Sequence, residues 1–233
     1  MTASLREIKV YTTFPHRCSY LEGEEATTLF VDPRQKLSPE LYTQLSLLGF
    51  RRSGDHVYRP HCARCSACIA SRVRVNDFKP SRTQKRVQRR NAGLRLERSA
   101  SILDDEAYNL YRYYIESRHA DGDMYPPERE QYEAFLNDGL GCANYYRLYL
   151  GDRLVAVTVA DKMLDGLAAI YTFFDPDQSH RSLGTEAILL QIREAQAEGL
   201  PFVYLGYWID GCRKMSYKAR CTPLELCVDG QWQ

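Results

Sequence analysis

The stretch from Ala143 to Phe174, ANYYRLYLGDRLVAVTVADKMLDGLAAIYTFF, determines the fold of the second half of this chain. Apolar and polar side chains alternate in three segments, Ala143 to Leu150, Leu154 to Ala160 and Leu167 to Phe174. Alternation with a period of two is typical of β-strands, and Gly151-Asp152 and Asp165-Gly166 supply residues that turns favour. The stretch therefore predicts a meander of three antiparallel strands.

The segments around this meander predict a mixed α+β domain. Before it, Asp104-Asp-Glu opens a helix that runs to His119, and a second helix is predicted from Pro127 to Leu136. After it, the pattern predicts a helix, a strand, a short helix and a strand, at Leu183 to Glu198, Phe202 to Trp208, Cys212 to Arg220 and Leu224 to Val228. The composition changes near Asn91, so we predict an N-terminal domain of residues 1–95 and a second domain of residues 96–233.

The positive charge of the chain is concentrated in one segment. The whole chain of 233 residues has a net charge of only +1. Between Arg51 and Arg98, however, 14 Lys and Arg residues face three acids, whereas 17 face 27 in the remainder. A positive field of this kind attracts polyanions, so nucleic acid is the first partner to consider, with a solvated charged face as the alternative.

Part of this charge lies on a predicted helix that Pro80 begins. Arg82, Lys85, Arg86 and Arg89 recur at a spacing of three to four residues, which places them on one helix face. Like charges at that spacing repel each other unless an anion neutralises them. We therefore interpret this face as a phosphate-binding surface.

The composition and the N-terminus favour a globular protein of the cytoplasm. Apolar residues make up 44% of the chain, enough for a sizeable core. No stretch approaches the roughly 20 apolar residues of a membrane span, and the N-terminal residues lack the apolar core of a signal peptide. In that compartment the eight cysteines are expected to be thiols or metal ligands rather than disulfides.

The element order from residue 104 onward resembles the acyltransferase fold of the Gcn5-related N-acetyltransferases. In that fold, the loop that follows the meander binds the pyrophosphate of acetyl-CoA at a helix N-terminus. The equivalent segment here is Arg181-Ser-Leu-Gly-Thr-Glu186. Glu186 stands where the fold has a small residue, and its charge is expected to repel the pyrophosphate, so acetyl-CoA is a weak candidate for the acyl donor.

Five motifs occur in order along the chain: Cys18-Ser-Tyr-Leu, Tyr58-Arg-Pro-His-Cys-Ala-Arg-Cys-Ser-Ala-Cys68, Phe78-Lys-Pro-Ser-Arg-Thr-Gln-Lys-Arg86, Ser182-Leu-Gly-Thr and Tyr204-Leu-Gly-Tyr-Trp-Ile-Asp-Gly-Cys-Arg-Lys-Met-Ser-Tyr-Lys218. Together they resemble the aminoacyl-tRNA–protein transferase family over about residues 11 to 227, and most of all its bacterial aspartate/glutamate leucyltransferases. The resemblance implies an acyltransferase-fold domain beside a smaller N-terminal Cys-containing α/β subdomain.

The same resemblance implies transfer of leucine from leucyl-tRNA to proteins that begin with Asp or Glu, which marks them for degradation by the N-degron route. A tRNA donor would also account for the basic segment and for the poor pyrophosphate loop. Three alternatives stay open: an arginyl-tRNA–protein transferase of the same family, an acetyl-CoA N-acetyltransferase and a non-catalytic tRNA-binding module. The aminoacyl ester is already activated, so the reaction needs proximity, amine deprotonation and oxyanion stabilisation rather than a cofactor.

The motifs also supply candidate site residues. For catalysis we consider four residues of the C-terminal motif, Tyr207, Asp210, Tyr217 and Lys218. For substrate binding we consider the basic side chains Arg72, Arg74, Arg82, Lys85, Arg86 and Arg89, because guanidinium groups bind carboxylates and phosphates well. The alternative is that the two tyrosines are core aromatics and that Asp210 caps a helix. His61 and His180 are further possible bases.

Four cysteines form a candidate metal site. Cys62, Cys65 and Cys68 are spaced two residues apart, and Cys18 would complete a set of four thiols, sufficient for tetrahedral zinc or for an iron–sulfur cluster. Members of the family have been associated with both kinds of ligation through N-terminal cysteines. The alternative is a set of reduced thiols without metal. We expect Cys142, Cys212, Cys221 and Cys227 to serve packing.

Overall fold

A computed structural model describes residues 5 to 233, except for the side chains of residues 213 and 214. The strands are β1 Val10–Thr12, β2 His16–Arg17, β3 Glu25–Ala26, β4 Thr28–Val31, β5 Arg51–Ser53, β6 His56–Pro60, β7 Ile69–Arg74, β8 Arg95–Ser99, β9 Ala143–Leu150, β10 Arg153–Lys162, β11 Gly166–Phe174, β12 Phe202–Trp208, β13 Leu224–Val228 and β14 Gln231–Trp232. The α-helices are α1 Pro39–Leu47, α2 Arg82–Arg90, α3 Asp105–Arg118, α4 Arg129–Leu136 and α5 Leu183–Ala197. Short 3₁₀ segments span Leu5–Glu7, Pro176–Arg181 and Arg213–Arg220.

The large sheet has eight strands in the order β14-β13-β7-β12-β11-β10-β9-β8. The predicted meander is confirmed, because β10 pairs antiparallel with both β9 and β11. Helix α5 then connects β11 to β12, which runs parallel to β11. A parallel pair requires such a crossover, whereas antiparallel neighbours need only a tight turn. The chain is therefore of the α+β class, as predicted.

The parallel pair β11–β12 separates after three residue pairs. Gly166, Leu167 and Ala168 pair with Phe202, Val203 and Tyr204, and no pair follows although both strands continue. The register of β12 against β7 also shifts between Tyr204 and Gly206. The two strands thus diverge in the middle of the sheet, and the gap between them is where a site can form.

One strand that lies wholly within the predicted N-terminal domain belongs to the large sheet. Strand β7 pairs antiparallel with β12 on one side and with β13 on the other. A smaller four-stranded sheet, β1-β4-β6-β5, contains the rest of the N-terminal strands apart from the β2–β3 pair. The division into residues 1–95 and 96–233 stays a prediction. Strand β7 links the two parts through its hydrogen bonds to β12 and β13, and β8 spans the predicted boundary.

Local sequence signals set the helix starts. Ser38 caps α1 by accepting a hydrogen bond from the backbone N–H of Leu41. The basic helix α2 begins at Arg82 rather than at Pro80, because Ser81 is its N-cap and forms a capping box with Gln84. Asp104 caps α3 in the same way, through the backbone N–H of Ala107.

Helices cover both faces of the meander. Along β9, Tyr146 and Leu148 pack in the cluster that contains α5. Tyr145 and Tyr149, which belong to the other alternating set of residues in this strand, pack in the cluster of α3 and α4. Alternate residues of a strand point to opposite faces, so α5 lies on one face and α3 and α4 on the other. Within residues 5–233, no helix has the length and apolar character needed to cross a membrane.

Candidate active site

A cleft of about 650 Å³ lies where β11 and β12 diverge. Residues Ala169 to Thr172 of β11 form one wall and Leu205 to Tyr207 of β12 the other. The end of α3, the start of α5 and the 3₁₀ segment around Lys218 complete the lining. The cleft therefore forms because the sheet opens, and side chains from distant parts of the chain meet in it.

The charged side chains that line the cleft are of one sign. Three cationic side chains, Arg51, Arg118 and Lys218, line the cleft, and none of its described lining residues is Asp or Glu. Much of the remaining wall is apolar or aromatic, formed by Ile170, Phe174, Leu183, Ile188, Leu205, Met215 and several tyrosines. A site of this composition favours a substrate with both an apolar part and an anionic part.

Lys218 is a buried base in the cleft, and its pKa is lowered. It is only 5% exposed, and its Nζ donates a hydrogen bond to the backbone carbonyl of Tyr207. It forms no ion pair with the residues that the structure describes. Burial, with the positive charge of Arg51 in addition, lowers the pKa of Lys218 to about 7. The amine can therefore lose and regain a proton at neutral pH.

The other three predicted catalytic residues differ in position. The buried Tyr207 lines the cleft, but its hydroxyl is committed to backbone carbonyls, 2.8 Å from that of Gly49 and 3.3 Å from that of Tyr58. Tyr217 also lines the cleft and is half-exposed. Asp210 is exposed, is not part of the lining, and accepts a hydrogen bond from the backbone of Gly211 at 3.0 Å. Lys218, Tyr207 and Tyr217 are thus brought together, and Asp210 is not among them.

Arg51 is a cleft residue that sequence reasoning missed. Its Nη2 donates to the carbonyl of Ala169 on β11, and its guanidinium lies against Gly206 on β12. A Cβ at Gly206 would lie 3.1 Å from the Arg51 Cζ, a tight contact, and the φ of 82° at this position also favours glycine. No local pattern marks Arg51, because its neighbours are more than 100 residues away in the chain.

Polar side chains form the floor of the cleft. The buried Gln191 of α5 donates through Nε2 to the Thr158 hydroxyl at 3.0 Å, which lies 2.7 Å from the Thr172 hydroxyl. The Oε1 of Gln191 is buried and has no partner among the described residues. Thr172 and Gln191 both line the cleft. The floor therefore contains one free acceptor, suited to an N–H donor of a ligand.

Two of the predicted substrate-binding arginines are occupied inside the protein. Arg72 is 8% exposed, donates to Glu225 at 2.7 Å, and lies over the rings of Phe202 and Trp232 at 3.6 and 4.3 Å. Arg74 is half-exposed and pairs with Asp77 and Glu225 at 3.3 and 3.4 Å. Neither lines the cleft. We therefore do not include Arg72 and Arg74 in the proposed substrate site.

The basic face of α2 is exposed, as the spacing predicted. Arg82, Lys85, Arg86 and Arg89 point to solvent, whereas Gln84 and Val87 are buried. The end of α2 contacts the segment that borders the cleft, because Arg90 donates to the His180 carbonyl and Arg181 donates to the Arg90 carbonyl at 3.0 Å. Ser179 and Ser182 of that segment line the cleft. A polyanion on α2 would thus lie beside the cleft entrance.

The four candidate ligand cysteines line a second pocket of about 190 Å³. The Cys18 Sγ accepts hydrogen bonds from the backbone N–H groups of Tyr20 and Leu21 at 3.5 and 3.4 Å. Burial, together with the thiols of Cys18, Cys62 and Cys65, raises the pKa of the Cys68 thiol to about 11. Among the described residues no three His, Cys, Asp or Glu side chains are arranged to hold a metal ion. The donor chemistry suits zinc or an iron–sulfur cluster, and ligation stays a prediction.

The structure also shows where His61, His180 and Glu186 lie relative to the cleft. His61 and His180 are exposed and do not line the cleft, whereas His119, which we did not single out, does line it, 3.1 Å from the Tyr114 hydroxyl. Glu186 is buried, pairs with Arg193 at 2.7 Å and is absent from the lining. The expected repulsion between Glu186 and a pyrophosphate in the cleft was therefore wrong.

Comparison with known proteins connects this architecture to one family. Residues 16–86 match the N-terminal model, and residues 106–228 the C-terminal model, of the arginine-tRNA-protein transferases. A Pseudomonas aeruginosa protein named aspartate/glutamate leucyltransferase is 54% identical over 228 residues, covering 98% of this chain and 97% of the relative. Relatives of the same name from Stutzerimonas stutzeri and Pseudomonas fluorescens are 54% and 50% identical over the same share of the chain.

Among solved structures, FemX shares the fold, with a TM-score of 0.53 at 10% identity over 95% of this chain and 86% of its own. An identity this low supports a common fold alone. The two matched models and the nearly full-length identity go further: this chain belongs to the aminoacyl-tRNA–protein transferase family.

Proposed function

We propose that this chain transfers leucine from leucyl-tRNA to the α-amino group of proteins that begin with Asp or Glu. The observation that carries the proposal is the charge of the cleft, which has three cationic side chains, an apolar wall and no acidic lining residue among those described. The name of the relatives, aspartate/glutamate leucyltransferase, supports leucine as the transferred residue and Asp and Glu as the acceptors. In the cytoplasm, where we place the protein, such a tag marks its acceptor for degradation.

The cleft favours leucine over arginine as the transferred residue. An arginyl side chain would bring a guanidinium group, which needs an acidic or other acceptor-rich partner when it is desolvated. The described lining instead provides Arg51, Arg118 and Lys218, which would repel it. A leucyl side chain can pack on the apolar residues of the wall, and an acidic acceptor brings an anion into a cleft whose described lining has no Asp or Glu.

The reaction needs a base because the acceptor begins as an ammonium. We assign this role to Lys218, whose buried amine is held by the Tyr207 carbonyl. One ammonium proton passes to Lys218 Nζ, and the freed lone pair bonds to the ester carbonyl carbon. The C–O bond to the terminal ribose of the tRNA then breaks, the ribose oxygen takes the second nitrogen proton, and an amide bond to leucine remains. The Gln191 Oε1 is an acceptor for an amine N–H in the same cleft.

The tRNA would lie along α2. Its exposed basic side chains, Arg82, Lys85, Arg86 and Arg89, suit backbone phosphates, and the contacts of Arg90 and Arg181 link this helix to the cleft border. The acceptor end of the tRNA would then reach the cleft while its stem contacts α2.

The cysteines would serve structure rather than the transfer step. Cys18, Cys62, Cys65 and Cys68 would hold zinc or an iron–sulfur cluster, and their pocket shares Tyr20, Tyr58 and Tyr207 with the cleft. When bound, such a group would crosslink the N-terminal loops. Metal analysis of the purified protein and of Cys65→Ser is the measurement: loss of a stoichiometric metal in the variant supports ligation, and metal-free wild-type protein that is fully active contradicts it.

The order of the elements, in which the meander β9–β11 is followed by α5, β12 and β13, also supports an acyltransferase fold of the Gcn5-related type, with residues 1–95 as a smaller Cys-containing domain. The cleft lies where β11 and β12 separate.

The test is a transfer assay with charged tRNA. We expect leucyl-tRNA, and not arginyl-tRNA, to label a reporter that begins with Asp or Glu, and a reporter that begins with Ala to stay unlabelled. Transfer from arginyl-tRNA alone would make the chain an arginyltransferase. Saturable acetyl-CoA binding with acetyl transfer, or tRNA binding that ignores aminoacylation without any transfer, would replace the proposal with one of the other classes.

A further inference from the structure

We propose that Arg51 is the residue that recognises the side-chain carboxylate of the acceptor and so restricts transfer to N-terminal Asp and Glu. This inference rests on the proposed function and adds the group that determines its specificity. Arg51 reaches the cleft from β5 of the small N-terminal sheet, which means that one half of the chain supplies the specificity of a site built by the other.

The guanidinium of Arg51 is held in place but incompletely satisfied. Nη2 is fixed by the carbonyl of Ala169, whereas Nη1 is buried and has no hydrogen-bond partner among the described residues. Arg51 forms no ion pair with any described residue either. A buried cation without an anion is costly, and proteins normally pair it. A carboxylate that enters the cleft would complete both the hydrogen bonds and the charge.

The position of Arg51 also suits the chemistry of the acceptor. Arg51 and Lys218 line the same cleft, and the charge of Arg51 acts on Lys218. In an N-terminal Asp or Glu, only one or two carbon atoms separate the carboxylate from the α-carbon that carries the amine. An acceptor whose carboxylate lies on Arg51 therefore presents its α-amine in the neighbourhood of Lys218, where the proton has to leave. Proximity of this kind contributes a large part of the rate in such reactions.

The other arginines near the cleft are less suited. Arg118 is exposed at the end of α3, with its guanidinium 5.5 Å from the centre of the Phe174 ring, so water already solvates it. Arg72 is satisfied by Glu225 and Tyr204 outside the cleft. Among the three cations of the lining, Arg51 combines a buried unpaired N–H with a fixed guanidinium.

The experiment compares kcat/KM for reporters that differ only in their first residue, Asp, Asn, Glu or Gln, in steady-state assays with saturating leucyl-tRNA. In the wild type we expect Asp to exceed Asn, and Glu to exceed Gln, by about 10²-fold or more, because a neutral amide leaves the cation unpaired. In Arg51→Gln the Asp and Glu values should fall about 10²-fold to the level of the amides, and the amide values should stay within a few-fold.

A structural role would lower all four values together, so the ratio of acid to amide is the decisive readout. Arg51→Lys keeps the charge without the planar fork and should retain an intermediate ratio. Arg118→Gln is the matched control in the same cleft, and its ratio should equal that of the wild type.

An unchanged acid-to-amide ratio in Arg51→Gln, or a ratio that collapses in Arg118→Gln instead, would overturn the inference. If Arg51→Gln is inactive with every reporter, the ratio in Arg51→Lys decides, and a wild-type ratio there overturns the inference as well. Failure of the wild type to label any reporter would contradict the proposed function itself, which is a different outcome.

Discussion

Arg51 and Arg52 are neighbours in β5, point to opposite faces of the strand, and have opposite environments. Arg52 is 3% exposed and makes two 2.7 Å contacts with Asp161, together with hydrogen bonds to the carbonyls of Gly54 and Asn137. The Tyr42 hydroxyl donates to the same Asp161 at 2.7 Å. Arg51, one residue earlier, reaches the cleft without an anionic partner among the described residues.

The presence or absence of a carboxylate partner distinguishes cations that stabilise the fold from cations that are available to bind a ligand. Arg52 and Arg147 have carboxylate partners inside the protein, Asp161 for the former and Asp104 for the latter. Arg51 and Lys218 have none among the described residues, and both line the cleft. Since a desolvated charge is tolerated only when something compensates it, the unpaired side chains indicate where the substrate supplies the anion.

The largest expected effect concerns Lys218, the second unpaired cation. Lys218→Met removes the base but keeps the apolar stem, so we expect the rate of leucyl transfer to an Asp reporter to fall by 10²–10⁴-fold, the range of general base catalysis. Single-turnover transfer assays measure this fall. Tyr217→Phe, a cleft variant without a proton acceptor role in this scheme, should lose far less, and equal losses would contradict the assignment.

The next prediction compares how much Arg51 and Arg52 contribute to the free energy of unfolding. Arg52→Met leaves Asp161 buried without its cation, and we expect the free energy of unfolding to fall by about 3–5 kcal/mol. Arg51→Met removes a cation that has no ion-pair partner, so its cost should stay below about 1 kcal/mol. Urea unfolding of the two variants gives both values. The comparison fails if Arg51→Met costs as much as Arg52→Met, and the double variant Arg52→Met/Asp161→Leu should recover part of the loss.

A smaller effect is the pH dependence that Lys218 imposes on stability. Its pKa in the folded protein is about 7, against 10.5 for an ordinary lysine in the unfolded chain, so between these values the unfolded chain binds more protons than the folded one. Stability from this group therefore rises with pH from about 7 upward, and below about 7 the buried charge is fully destabilising. We expect the stability difference between Lys218→Met and the wild type to shrink by about 2 kcal/mol between pH 7 and pH 9. A difference independent of pH would show that Lys218 does not titrate in this range.

The smallest effect per residue belongs to the exposed cations of α2. Each of Arg82→Gln, Arg86→Gln and Arg89→Gln removes one phosphate contact, so the slope of log affinity for tRNA against log salt should decrease by about 0.7–0.9 per variant. Fluorescence anisotropy over a salt series measures the slope. Arg112→Gln, an exposed arginine on α3, should leave the slope unchanged. If Arg112→Gln has the same effect as the α2 variants, the phosphate surface is not on α2.

Most of the secondary structure could be predicted from local patterns. The alternation of β9, β10 and β11 indicated the meander, and Asp104 marked the start of α3, because these signals act within a few residues. The place of β7 between β12 and β13 could not be predicted, since strand order depends on contacts between residues more than 100 positions apart.

Some residues of the candidate site could also be predicted from local patterns, and others could not. Lys218, Tyr207 and Tyr217 were found from a motif, and the exposed cations of α2 from their helical spacing. Arg72 looked like a substrate ligand because sequence does not reveal that Glu225 pairs with it. Arg51 carried no signal, since only folding brings it against Ala169 and Gly206.

The sequence by itself determined the family, the helix and strand pattern and the basic face, because composition, spacing and motifs are local properties. Only the tertiary structure decided which charged side chains are neutralised and which are free. Compensation of a buried charge depends on the partner that folding brings within about 3 Å, and two adjacent arginines of one strand can therefore have opposite roles.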